Sequence, residues 1–243
     1  MGTIATVRFP STALDRRVTY SVILPDREHG PGPFPVLYQL HGRTDDHRAW
    51  LEDGNLARHV AKLPLIVVLP DGETSFYADI HPLARFERYI VDDLPQHVRA
   101  TFHVREGKAA IGGLSMGGYG AIRLGLSYPE RYASIFAHSS RLPSRAELPR
   151  LSFCSGLDER AIDALDVDAL AARIDPQAMP RLAFDCGTED HLLGDSRRFR
   201  AALERHGVPH EYAEHPGAHT WEYWDLHVRT ALAFHARVLA LPV

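Results

Sequence analysis

Ser115 stands between Gly113 and Gly117 in the order G-x-S-x-G, the spacing of a serine held on a sharp turn between a strand and a helix. An apolar run from Lys108 to Ile111 leads into it, and a small-residue stretch with helical texture, Tyr119 to Leu126, follows. So tight a turn pushes the Ser115 hydroxyl outward on a strained backbone. It also brings neighbouring chain too close for a side chain at either glycine. The N–H of Met116, at the start of the new helix, then faces the space where an oxyanion would develop. The chemistry implied is acyl transfer through a serine nucleophile.

Such a serine needs a base, and the base needs an orienting acid. On this type of elbow they follow in the chain order serine, acid, histidine, each on a loop after a later strand. Cys186-Gly187-Thr188-Glu189-Asp190-His191 follows the strand-like Arg181 to Phe184, and His215-Pro216-Gly217-Ala218-His219-Thr220-Trp221 follows Glu211 to Glu214. The interval between Asp190 and His219 leaves room for one helix and one strand. Asp190 is favoured over Glu189, whose side chain would leave the loop on the other side. His219 is favoured over His215 and over His191, which sits awkwardly beside the acid. The structural alternatives are a helix N-cap for Asp190 and a turn or cap residue for His219.

A second oxyanion donor is expected from Leu40-His41-Gly42-Arg43, where Gly42 permits the turn and the N–H of Arg43 points inward. His41 is read as a residue that holds this loop rather than as a base. The polar-aromatic loop from Pro70 to Asp79 belongs on the same rim, with Asp71 and Tyr77 as candidate substrate contacts beside Gly42. Trp221, two residues past the proposed base, is the tryptophan most expected to line a pocket; Trp50 and Trp224 read equally well as core.

These residues need a scaffold that gathers strand ends. Ile4 to Phe9 and Val18 to Leu24 alternate in the manner of an antiparallel edge pair. Val36–Leu40, Leu65–Leu69, Ala109–Ile111, Ala133–Ala137 and Leu182–Phe184 are short, mostly apolar runs without alternation, as in parallel strands buried on both faces. Helical stretches separate them at Leu56–Leu63, Ala84–Ala100, Tyr119–Ser127, Ser196–His206 and Trp224–Leu241. The last of these is expected to turn Leu226, Arg229, Thr230, Ala233, Phe234 and Val238 to one face. The alternation predicts an α/β three-layer sandwich with a mainly parallel central sheet, residues 1–243 forming a single domain. Residues 141–178 break the pattern and read as a short cap inserted over the carboxyl edge of the sheet.

The 243 residues are 45% hydrophobic and 24% charged, which is a globular composition. A net charge of −4 gives no reason to expect nucleic acid or an anionic membrane as partner. The 15 histidines are scattered, without metal-ligand spacing, so no metal and no cofactor are expected. The pair Cys154 and Cys186 reads as reduced thiols in a domain large enough to need no staple. The N-terminus lacks a basic stretch followed by an apolar run, and no segment approaches a membrane span, so a soluble cytoplasmic protein is expected.

Taken together, Leu40-His41-Gly42, Trp50, Leu69-Pro70-Asp71-Gly72 with Tyr77, and Gly112-Gly113-Leu114-Ser115-Met116-Gly117-Gly118-Tyr119-Gly120-Ala121 resemble the esterase D family of α/β-hydrolases. Tyr128-Pro129-Glu130, Cys186-Gly187-Thr188-Glu189-Asp190 and Gly217-Ala218-His219-Thr220-Trp221-Glu222-Tyr223-Trp224 extend the resemblance over nearly the whole chain. It implies Ser115 as nucleophile, Asp190 as acid, His219 as base, and the N–H groups of Arg43 and Met116 as the oxyanion hole. The ending H-T-W-E-x-W is most similar to the short tributyrin-esterase-like branch. The implied function is a serine carboxylesterase acting on a small-molecule acyl ester, without a cofactor. A thioesterase of the S-formylglutathione hydrolase type or an acyltransferase on the same site is the near alternative. A non-catalytic binding protein on a hydrolase scaffold is the distant one. His191 replaces the phenylalanine the resemblance implies, and Ser139-Ser140 stands near where relatives carry Ser-Gly. Acyl and alcohol preference are therefore open at this stage, as is assembly into a homo-oligomer.

Overall fold

The computed structural model describes residues 2–242; residues 1 and 243, the ends of the span read as one domain, lie outside the described residues. Eight strands form the main sheet: β1 (Thr3–Ser11), β2 (Arg16–Leu24), β3 (Val36–Leu40), β4 (Ile66–Pro70), β5 (Ala109–Leu114), β6 (Tyr132–His138), β7 (Arg181–Gly187) and β8 (Glu211–His215). Their spatial order is β1-β2-β4-β3-β5-β6-β7-β8. β2 pairs antiparallel with β1 and β4, while every pairing from β4 through β8 is parallel.

Burial on both faces explains why the parallel strands read as apolar runs. In β3, Val36, Tyr38 and Leu40 face one core with Tyr89, Tyr119 and Phe199, whereas Leu37 faces the other with Trp50, Leu56 and Val228. The larger helices are α1 (Leu94–Thr101), α2 (Met116–Ser127), α3 (Glu159–Leu165), α4 (Val167–Arg173), α5 (Leu193–Arg205) and α6 (Trp221–Val238).

Two helix expectations need correction. Ala84 and Arg85 pair with Asp79–His81 in a small antiparallel ribbon. The helix begins only at Phe86, passes through a π turn at Tyr89–Asp93 and continues into α1. In α6 the expected apolar face is rotated. Leu226, Arg229, Thr230 and Ala233 are exposed, and the helix buries Trp224, Val228, Ala231, Leu232 and His235 instead. The polar member of that stripe has a partner for one of its ring nitrogens: His235 Nδ1 lies 2.8 Å from Ser134 Oγ, while its Nε2 is buried without one.

Residues 141–178 comprise two single 3₁₀ turns followed by α3 and α4. Asp158 and Asp166 cap the two helices by accepting from backbone N–H groups of their first turns. Leu148, Phe153, Cys154, Ile162 and Leu165 form a satellite core with Ala78. Tyr119 on α2 donates to the carbonyl of Leu165 at 2.8 Å and ties this layer to the helix behind the elbow. Both cysteines are free and buried, and burial pushes the thiols up, to about 11 for Cys154 and about 12 for Cys186. No helix among the described residues is long and apolar enough to cross a membrane.

Candidate active site

β5 ends at Leu114 and α2 begins at Met116, so a single residue, Ser115, makes the whole turn. Its backbone is at φ 52° and ψ −114°, a region that costs a non-glycine residue about 1–3 kcal/mol and persists only where the surroundings enforce it. They do so here. Ser115 N–H donates to the His138 carbonyl at 2.9 Å, and Arg141 N–H donates to the Ser115 carbonyl at 3.1 Å, so the end of β6 and the loop after it hold both sides of the turn. A Cβ at Gly113 would lie 2.5 Å from the Gly117 carbonyl carbon, and one at Gly117 would lie 2.4 Å from the Leu40 carbonyl oxygen. The glycines are there because β3, β5 and α2 converge at this point.

The loops after β7 and β8 meet Ser115. His219 Nε2 lies 3.1 Å from Ser115 Oγ, and His219 Nδ1 lies 2.8 Å from Asp190 Oδ2. Asp190 Oδ1 accepts from the Leu192 N–H at 2.8 Å, so the carboxylate holds the start of α5 with one oxygen and the histidine with the other. Asp190 is not the N-cap that the structural alternative expected: Leu192 holds that position, without a side-chain cap bond, and Asp190 bonds its N–H from two residues upstream. Burial pushes the Asp190 carboxyl up, but hydrogen bonds from the His219 ring and the Leu192 N–H outweigh it and hold the group below the ordinary carboxylate range. The ring of Trp224 stands perpendicular to His219 at 4.8 Å.

Of the rival residues, His215 and Glu189 are engaged elsewhere, and His191 stands exposed at the edge of the site. His215 stacks on His227 at 4.3 Å. The side chain of His191 is 71% exposed and touches Asp190 only at 3.6 Å. Glu189 turns away from His219 and clasps the histidine loop. Its carboxylate accepts from the Gly217 N–H, and its own N–H donates to the Gly217 carbonyl at 3.0 Å. Glu189→Gln keeps an acceptor there and is expected to lower kcat less than about threefold. Glu189→Ala frees the loop and is expected to lower it about tenfold, on the scale of one lost hydrogen bond to a charged group. Steady-state kinetics with thermal melts separate the two; equal kcat values for both variants would remove the clasp from the positioning of His219.

The loop after β3 is latched on several sides. His41 is buried; its Nε2 accepts from the Gly72 N–H at 2.8 Å and its Nδ1 donates to the Gly42 carbonyl at 2.6 Å. Tyr77 OH donates to the His41 carbonyl at 3.0 Å, and Trp50 Nε1 donates to the Leu40 carbonyl at 3.0 Å. Gly42 N–H is taken by Asp45 Oδ2 at 3.2 Å. His41 is therefore the loop-holding residue that its position suggested.

Two cavities flank Ser115. One, of about 560 Å³, is walled by Phe76, Met116, Leu151, Phe153 and His191, with Arg141 at its edge. The other, of about 490 Å³, is lined by Gly42, Thr44, His219, Trp221 and Trp224. Arg43 lies between them and borders both. A larger depression of about 730 Å³ lies between α6 and residues 55–63, away from Ser115; it contains a His59–Asp225 pair, 2.7 Å apart, but no serine, threonine or cysteine among the residues lining it.

The structure thus brings together Ser115, Asp190, His219, Arg43, Met116, Gly42 and Trp221. It does not bring in Tyr77, which is fully buried behind the His41 loop, or Asp71, whose carboxylate accepts from Glu73 N–H at 3.0 Å and approaches His41 to 3.7 Å. Both support the loop from behind rather than lining a cavity. Sequence reasoning missed a second, fully buried His–Asp pair under the elbow. His138 Nδ1 lies 2.9 Å from Asp185 Oδ1, which also accepts from Tyr223 OH at 3.2 Å. The available signal was a polar residue at the carboxyl end of each of two adjacent apolar strands.

The Esterase family, described as "Putative esterase", matches residues 11–235. The chain belongs to that family. As a member it is a carboxylic ester hydrolase. The family resemblance extends to an acetyl esterase of Caldicellulosiruptor saccharolyticus, 28% identical over 97% of this chain and 98% of the relative. An esterase of Mycobacterium tuberculosis is 27% identical over 88% of this chain, which spans about half of that relative, 55%. Among solved structures, an S-formylglutathione hydrolase from Agrobacterium tumefaciens superposes with a TM-score of 0.88 at 24% identity, covering 98% of this chain and 96% of that one. The fluorophosphonate-binding serine hydrolase F of Staphylococcus aureus gives 0.85 at 24% identity, covering 96% and 98%. At that identity the likeness establishes the fold, the α/β-hydrolase fold that the family resemblance implied.

Proposed function

We propose that the chain is a serine carboxylesterase that hydrolyses short-chain acyl esters through an acyl-enzyme. The observation that carries this reading is the unbroken hydrogen-bonded chain from Ser115 through His219 to Asp190, at 3.1 and 2.8 Å, opening onto two cavities. His219 Nε2 takes the Ser115 proton as the oxygen attacks the acyl carbon, then delivers it to the leaving alkoxide. Water then attacks the acyl carbon, gives up a proton to the same nitrogen, and the acid leaves as His219 returns that proton to Ser115 Oγ. Asp190 keeps the imidazole in the tautomer that presents a lone pair to Ser115 and stabilises the imidazolium formed in each half.

The N–H groups of Met116 and Arg43 serve as the oxyanion donors. Met116 is the first helical residue, whose N–H has no intrahelical acceptor, and the Gly42 N–H is committed to Asp45, which leaves Arg43 as the donor on that loop. Losing one such donor costs on the order of 10²–10³ in rate.

Residues 141–178 act as a short cap that closes one wall of the larger cavity. Phe76 stacks on Phe153 at 4.2 Å, and Arg141 is held by Asp195 at 2.6 Å and Glu147 at 3.0 Å. Aromatic walls and a braced ion cluster favour a small acyl group. Each methylene beyond the fit forfeits about 0.8 kcal/mol of burial and adds strain. With p-nitrophenyl esters, kcat/KM is expected to peak between about two and six acyl carbons and to fall beyond about eight, without activation at an oil–water interface. A profile still rising at dodecanoate would refute the short-chain reading. Matched oxygen esters and thioesters, with and without an alcohol acceptor, distinguish hydrolysis of esters from thioester or transfer chemistry on the same site.

A further inference from the structure

We propose that His191, Asp190 and His219 form a binding site for a divalent transition metal, zinc being the fitting ion, and that its occupancy switches the hydrolase off. This goes beyond the esterase reading and rests on it for the inhibitory effect alone. The ion is an inhibitor, not a cofactor.

One ligand-capable atom from each of the three residues lies within 4.8 Å of the other two. His191 Nδ1 is 3.6 Å from Asp190 Oδ1, and His219 Nδ1 is 2.8 Å from Asp190 Oδ2. Zinc takes nitrogen and oxygen ligands at about 2.0–2.2 Å, so ligand atoms around a tetrahedral ion sit about 3.3–3.5 Å apart. The present spacing brackets that value. The 71% exposed His191 is free to swing in and close the wider gap, while the 2.8 Å gap between His219 and Asp190 must open by about half an ångström to admit the ion. The imidazole centroids are 4.7 Å apart at an interplanar angle of 65°, so the two rings converge rather than stack.

Two imidazoles and a carboxylate are a common protein ligand set for zinc, with the fourth position left to water. His191 borders the open cavity beside Ser115, which gives the ion a path in. Insertion between His219 and Asp190 displaces the His219 Nδ1 proton to solvent and forms bonds from the metal to imidazole nitrogen and carboxylate oxygen. The histidine then lacks the carboxylate partner and the ring position it needs to take the Ser115 proton. A second group of similar composition, Asp185, His215 and His227, is less suited: its imidazoles lie nearly parallel at 4.3 Å, and its carboxylate already serves His138 and Tyr223.

The test uses the full chain freed of metal and assayed with p-nitrophenyl acetate in a non-coordinating buffer. Zinc chloride is expected to inhibit, EDTA to restore activity, and magnesium chloride to have no effect. In His191→Phe the zinc midpoint is expected to rise by at least about tenfold, a loss of about 1.4 kcal/mol in binding. Calorimetric titration of zinc into Ser115→Ala reads the site without turnover and is expected to show one ion per chain. That binding should weaken by a similar factor when His191→Phe is added. Equal midpoints with and without His191, or no calorimetric binding, overturn the proposal. His191-dependent zinc binding in a protein that cleaves no ester would instead overturn the esterase reading and leave the metal site standing.

Discussion

Ser115→Ala is expected to lower ester turnover on the order of 10⁶-fold, the scale on which loss of the nucleophile disables a coupled serine triad. In the proposed reaction this residue carries the bond-forming oxygen, and among the described residues no other hydroxyl is hydrogen-bonded to His219. Met116 and Arg43 would still present their N–H groups to a bound ester, so residual catalysis over water is expected from the oxyanion hole alone. The fold should be retained, because the strained turn is held by backbone contacts, Ser115 N–H to His138 and Arg141 N–H to the Ser115 carbonyl, which alanine keeps. A serine-directed phosphonate should label the wild-type chain at Ser115 and fail to label the variant, with thermal melts unchanged within a few degrees. Retention of more than a few percent of wild-type turnover would show that another group attacks the ester.

Asp190→Asn is the second large effect, an expected fall in kcat of roughly 10⁴ with the protein still folded. The two carboxylate oxygens have separate tasks, Oδ1 accepting from the Leu192 N–H and Oδ2 from His219 Nδ1. An amide can keep only one of these. With its oxygen on Leu192 it turns an NH₂ group toward His219, which must then carry its proton on Nε2 and can no longer accept one from Ser115. The wild-type group has a folded pKa below its ordinary value. Its contribution to stability is therefore fully present above the unfolded carboxylate range and is lost as pH falls through the lowered value. Across neutral pH the acid stays ionised in the wild type, whereas the asparagine variant should be impaired at every pH. An Asp190→Asn enzyme that recovered wild-type kcat at any pH between 6 and 9 would remove Asp190 from the role of orienting acid.

The order of elements and the positions of the principal candidate site residues were legible in the chain because each rests on local chemistry. Short apolar runs without alternation can be stable only between two helical layers, and that reading placed β3 through β7 within a few residues of their observed ends. Gly113 and Gly117, one on each side of Ser115, announce the elbow because a Cβ at either would collide with backbone where the Leu40 carbonyl approaches α2. The chain order then located Asp190 and His219 on the loops after β7 and β8.

Long-range packing decided what the sequence left open. Whether Asp190 or Glu189 faces His219 depends on how the loops after β7 and β8 dock, and the Gly217 backbone captures Glu189 for the clasp. Tyr77 and Asp71 had plausible rim positions by order alone, yet Tyr77 turns inward to hold the His41 carbonyl. The buried face of α6 is set by the sheet it covers and by Ser134 reaching His235, a pairing 101 residues apart that no helical period reveals. The buried His138–Asp185 pair has the same origin, since two residues at neighbouring strand ends become partners only when β6 and β7 align in register. Sequence determined which chemistry the chain can carry, because hydroxyl, imidazole, carboxylate and glycine are local choices. Tertiary structure alone decided which of several candidates come within hydrogen-bond distance of one another, because that distance between side chains far apart in sequence is a property of how the layers pack.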